Sequence, residues 1–145
     1  SIRMREIINP DLQQILVEKA SDVFRRVFSR GIYGVVEPPR FETASEIQMM
    51  YNAHCDISGH TMMPEAALAR AIGASYAGLY VISNHAEGIL PNWKQSIFDI
   101  YESCAPVVGR VMLNAMAAID PEKVHNNSEE NIIKMPEHVA KRIEA

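Results

Sequence analysis

Three short polar clusters, each following an apolar run of strand length, constrain this chain more than any other feature. The first is Glu37-Pro38-Pro39-Arg40-Phe41-Glu42-Thr43, after Ile32–Val36. The second is Ser58-Gly59-His60-Thr61-Met62-Met63-Pro64-Glu65, after Cys55–Ser58, and the third is Ser83-Asn84-His85, after Tyr76–Ile82. Helical periodicity separates the runs, so strand and helix alternate, which predicts right-handed crossovers and a mostly parallel α/β sheet flanked by helices. In open α/β sheets ligands bind outside the carboxyl ends of the strands, which is where the three clusters fall. A small-molecule site is the first functional expectation.

Local signals sharpen the element boundaries. Asn9 caps a first helix, with Pro10 in its opening turn, and apolar residues recur from Leu12 to Phe28 until Gly31. Near-continuous apolar character at Ile32–Val36 predicts a strand buried on both faces. Pro38-Pro39 fixes an extended loop, because proline cannot sit inside a central strand. Thr43 and Glu46 form a capping box for the next helix. Pro64-Glu65 starts a third helix that Gly73 closes, and Trp93 to Ile119 reads as one long helix kinked at Pro106. Residues 1–119 form the α/β unit in this reading. Residues 120–145 form a polar tail ending in a short helix from Pro136 to Ile143.

Composition excludes several classes. The 145 residues are 48% hydrophobic and 22% charged, ordinary for one soluble domain with a real core. A net charge of −4 argues against nucleic-acid binding. No apolar run reaches bilayer length, so a membrane partner is not expected and the cytoplasm is the default location. Cys55 and Cys104 read as buried free thiols. His54, His60 and His85 lack ligand spacing, so no metal is expected.

Pro39-Arg40-Phe41-Glu42-Thr43, Gly59 with Pro64-Glu65-Ala66-Ala67-Leu68-Ala69-Arg70, and Ser83-Asn84 resemble the second half of the trimeric purine nucleoside phosphorylases, a family that includes the methylthioadenosine and methylthioinosine phosphorylases. The resemblance covers roughly residues 7 to 118. It implies a pentosyltransferase of purine salvage that breaks the base–ribose bond with phosphate as co-substrate and no cofactor. It also implies a homotrimer. Asn84 matches the catalytic asparagine that hydrogen-bonds purine N7, Glu42 the acceptor from N1–H of a 6-oxopurine, and Phe41 the aromatic against the base. Ser83, His60 and Trp93 are the further substrate-binding candidates. Asn rather than Asp at position 84 resembles relatives that take hypoxanthine or guanine.

Read without the resemblance, Phe41 is core, Glu42 a solvated acid and Asn84 a strand-end cap. His60 stands where the family has Met, and either hydrogen-bonds a sugar or is a core histidine. Trp93, near a family His, either stacks on the 5′ substituent or blocks it. The family's N-terminal half, with its glycine-rich and Arg-His phosphate segments, has no counterpart in these residues. The sheet should therefore have an unfilled edge, covered by a homo-oligomer or a companion chain, and this chain alone should not turn over a nucleoside. A non-catalytic purine-binding or oligomerisation module is the alternative.

Overall fold

A computed structural model describes residues 3–90, 96–128 and 131–134. Its elements are α1 (Pro10–Ser21), β1 (Tyr33–Val35), α2 (Ala44–Asn52), β2 (Ile57–Gly59), α3 (Glu65–Ala71) and α4 (Ile97–Ala118). Strands β1 and β2 pair in parallel, with Tyr33 opposite Ile57, Gly34 opposite Ser58 and Val35 opposite Gly59. Helix α2 makes the crossover between them, the expected strand–helix–strand unit.

The local signals act as their chemistry requires. The Asn9 side chain accepts from the amides of Asp11 and Leu12 and so caps α1. At α2 the Thr43 hydroxyl accepts from the Glu46 amide, and the Glu46 carboxylate accepts from the Thr43 amide at 2.7 Å. Gly73, at φ +76°, closes α3 in the left-handed region. Helix α4 continues through Pro106 as one element, and α1 and α4 pack together. Buried Ala20, Val111 and Ala115 come from these two helices.

Four expectations fail. The first helix stops at Ser21, and Phe28 is 74% exposed rather than part of a buried face. Its periodicity outruns the surface available to cover it. The run Tyr76–Ile82 forms no strand. Among the described residues the Tyr76 carbonyl accepts from the Asn9 amide, and 77–82 make no backbone hydrogen bonds. A strand exists only through a neighbour's ladder, and none among the described residues reaches this segment. Strand β1 is covered on one face only: Gly34 and Val36 are buried, whereas Val35 is 40% exposed. The thiols Cys55 and Cys104 are free but half-buried, since both border a cleft. The expected helix at 136–143 and Trp93 lie outside the described residues.

A polar knot ties the segments before α1 and after α4 to α3. The Arg70 guanidinium, 2% exposed, donates to the carbonyls of Asn127 at 2.9 Å, Glu6 at 2.7 Å and Arg5 at 3.1 Å. Fully buried Asn9 donates to the His125 carbonyl at 2.7 Å, and Asn127 donates to Glu6. Buried polar groups are tolerated when satisfied in this way.

Candidate active site

The polar clusters after the strands meet at one cleft of about 710 Å³. Phe41, Glu42, His60, Ser83 and Asn84 all line it. The loop after β1 supplies the first pair, the turn after β2 supplies His60, and the segment after 76–82 supplies the last pair. That third segment reaches the cleft without being a strand. Tyr33 and Tyr80 join it from the floor, with ring centroids 4.7 Å apart. Burial pushes the Tyr80 hydroxyl's pKa up, and its hydrogen bond with Tyr76 adds to the effect.

The loop carrying Phe41 and Glu42 is clamped to α2. Arg40 donates to Glu46 through both terminal nitrogens and to the Phe41 carbonyl at 3.0 Å. That hydrogen bond, followed by those from the Thr43 amide and hydroxyl, holds the Glu46 carboxyl down at about 2. The same contact holds the Arg40 guanidinium above its ordinary range. With the loop fixed, the Phe41 ring is 58% exposed, open to a flat ligand, and Glu42 is only 7% exposed. Among the described residues the Glu42 carboxylate has no hydrogen-bond donor, although it borders the cleft. No buried side-chain oxygen is left unpaired among the described residues, so the carboxylate oxygens face the cleft opening, where a ligand N–H or O–H can meet them.

Asn84 is oriented at both ends of its amide. Oδ1 accepts from the Ser83 hydroxyl at 2.8 Å, and Nδ2 donates to the His85 carbonyl at 3.0 Å. Reversing the amide would set Oδ1 against a carbonyl, so the amino group is fixed, with one N–H left over. His60 Nδ1 is 3.0 Å from the Val36 carbonyl, and its ring centroid is 6.3 Å from that of Phe41.

Tyr33 and Tyr80 are cleft residues that motif reading passed over. The available signal was a Tyr in each apolar run just upstream of a polar cluster, since a phenol can place its ring in a wall and its hydroxyl in a site. Gly59 follows from Tyr33: a Cβ there would overlap the Tyr33 hydroxyl.

This cleft belongs to a fold seen before. A methylthioadenosine phosphorylase from an Antarctic soil metagenomic library superposes with a TM-score of 0.79 over 95% of this chain and 51% of that one, at 23% identity. The ligand-free methylthioadenosine phosphorylase of Schistosoma mansoni gives 0.75 over 96% and 54%, at 21% identity. These likenesses are of fold. In sequence, the chain is 35% identical over 111 residues to a probable 6-oxopurine nucleoside phosphorylase of Thermococcus kodakarensis, 77% of this chain and 41% of the relative. It is 45% identical over 99 residues to a probable S-methyl-5′-thioinosine phosphorylase of Xylella fastidiosa, 68% of this chain and 42% of the relative. The chain thus spans about half or less of the length of the proteins it matches. Residues 1–131 match the phosphorylase superfamily over nine-tenths of the chain, and the chain belongs to that family.

Proposed function

We propose that the cleft is the purine half of a nucleoside phosphorylase site, acting on a 6-oxopurine nucleoside or its methylthio derivative with phosphate as co-substrate. The observation that carries this reading is the pairing on one cleft of Glu42, a largely buried residue whose carboxylate has no donor among the described residues, with an oriented Asn84 amide. Glu42 accepts from N1–H of hypoxanthine or guanine. The spare N–H of Asn84 meets N7, where electron density accumulates as the base leaves; a donor placed there lowers the barrier. Phe41 offers its ring to the base. Trp93 is retained as a substrate-binding residue from the sequence alone.

In this reading residues 1–119 correspond to the C-terminal half of the family domain, and 120–145 form an appended tail. The phosphate-binding groups and the remaining strands then come from polypeptide outside these 145 residues, upstream in the same chain or on a companion chain, and a homo-oligomer covers the exposed faces. Among the described residues large apolar side chains stand open to solvent, Phe28 at 74%, Ile72 at 83% and Phe98 at 75%. Such exposure fits a chain whose apolar faces are covered by another.

Calorimetric titration with hypoxanthine and with adenine tests the reading. Adenine presents an unprotonated N1, so Glu42 would face it lone pair to lone pair. The mismatch costs on the order of 1–3 kcal/mol, roughly 5- to 150-fold in affinity. Tighter hypoxanthine binding is expected. Equal affinities would remove the role given to Glu42, and no binding of either base would overturn the reading in favour of an oligomerisation module.

A further inference from the structure

His60 contributes a polar atom to the cleft that the base contacts leave unused. Its environment fixes which atom. The Val36 carbonyl, 3.0 Å from Nδ1, can only accept, so Nδ1 carries the proton. The contact is one of a pair, because the Val36 amide also donates to the Gly59 carbonyl at 2.9 Å. Together the two bonds lock the residue after β1 to the turn after β2, and they set the imidazole's orientation.

Val36 is buried and does not line the cleft, whereas His60 does. Among the described residues Nε2 has no hydrogen-bond partner, and no buried side-chain nitrogen or oxygen is left unpaired. Nε2 therefore keeps access to solvent. In the neutral imidazole it is an acceptor with no donor opposite it.

We infer that His60 is a specificity-determining residue, and that its Nε2 accepts a hydrogen bond from a hydroxyl of the sugar of a bound nucleoside. The inference rests on the purine-nucleoside reading above and extends it from base to sugar. Glu42 and Asn84 serve the base edge, with an acceptor and a donor. The Nε2 acceptor recognises an O–H and gives nothing to a substituent without a donor. The site then separates a nucleoside from its free base, and a ribosyl from a deoxyribosyl ligand.

Two measurements test this. In water the neutral imidazole favours the Nε2–H tautomer, so nitrogen NMR of the labelled, unmodified protein should show neutral His60 in the Nδ1–H form. Finding Nε2–H would overturn the inference without any ligand. The second is a titration of inosine, 2′-deoxyinosine, 3′-deoxyinosine and hypoxanthine into the unmodified protein, His60→Phe and His60→Gln. In the unmodified protein one of the deoxynucleosides should bind about 5- to 10-fold more weakly than inosine, the worth of one neutral hydrogen bond. That difference should vanish in His60→Phe and persist in His60→Gln, whose amide oxygen still accepts. Hypoxanthine should respond alike to all three proteins. Hypoxanthine binding with no hydroxyl discrimination, or with equal discrimination in His60→Phe, sinks the role of His60 and leaves the base reading standing. No binding of hypoxanthine or inosine to the unmodified protein sinks both.

Discussion

Asn84 illustrates how a single side chain acquires a direction. Its amide is held between a hydroxyl and a carbonyl, so its remaining N–H is set by neighbours at 83 and 85 rather than by the ligand. Asn84→Asp removes that donor and adds an acceptor able to share a proton with N7 or a 6-amino group. On the purine reading the variant should shift its relative preference toward adenine by about tenfold, seen by titrating both bases against both proteins. Glu46 carries a second prediction, through pH. Its carboxyl is held near 2, chiefly by Arg40, below the ordinary 4.5. A depressed pKa stabilises the fold above the unfolded value and loses that contribution as pH falls toward the folded one. The thermal midpoint of the protein should exceed that of Glu46→Gln at pH 6, and the gap should close between about pH 4.5 and 2. Because both partners are exposed, added salt should narrow it.

Elements form here where local chemistry and a covering surface coincide. Helix α2 has both: a reciprocal cap at Thr43 and Glu46, and Ile47 buried beneath it. Thr43→Ala should cost about 1 kcal/mol in a denaturant titration, the usual worth of such a cap. It should also loosen the Phe41–Glu42 loop, which shares Glu46. The end of β2 is set by sterics, because the Tyr33 hydroxyl occupies the space a Cβ on Gly59 would need. Gly59→Ala should destabilise by about 1–3 kcal/mol, as overpacking does, and displace Tyr33 from the cleft floor. A shift in the near-ultraviolet tyrosine signal would report the displacement, and an unperturbed signal would contradict it. The segment 76–82 is the counter-case. Its composition suits a strand, yet among the described residues it is held by the Tyr33–Tyr80 ring contact and by the Asn9 amide at the Tyr76 carbonyl, with no ladder to join.

Across the whole molecule, Arg70 joins what the chain order separates. Its three carbonyl partners lie at positions 5, 6 and 127, on segments before the first helix and after the last. Arg70→Ala removes three charge-assisted hydrogen bonds at once, although Glu6 keeps the donor from Asn127 and Asn127 that from Asn131, and it should destabilise by about 3 kcal/mol. Proteolysis at both segments should accelerate together, and independent cleavage would refute a shared anchor. The exposed faces carry another prediction at this scale: light scattering should give a mass above 16.2 kDa, and a monomer would count against the proposed assembly. The sequence by itself determined the helix caps, the parallel strand pair and the residues of the three polar clusters, because each depends on neighbours within a few positions or on a repeating apolar pattern. Only the tertiary structure decided that α1 stops at Ser21, that 76–82 stays unpaired and that a tyrosine pair floors the cleft. It also decided that Glu42 is largely buried with no donor among the described residues, that His60 turns Nδ1 to Val36 and that Arg70 binds both flanking segments. Those outcomes depend on which distant groups come within hydrogen-bonding reach, and periodicity carries no record of that.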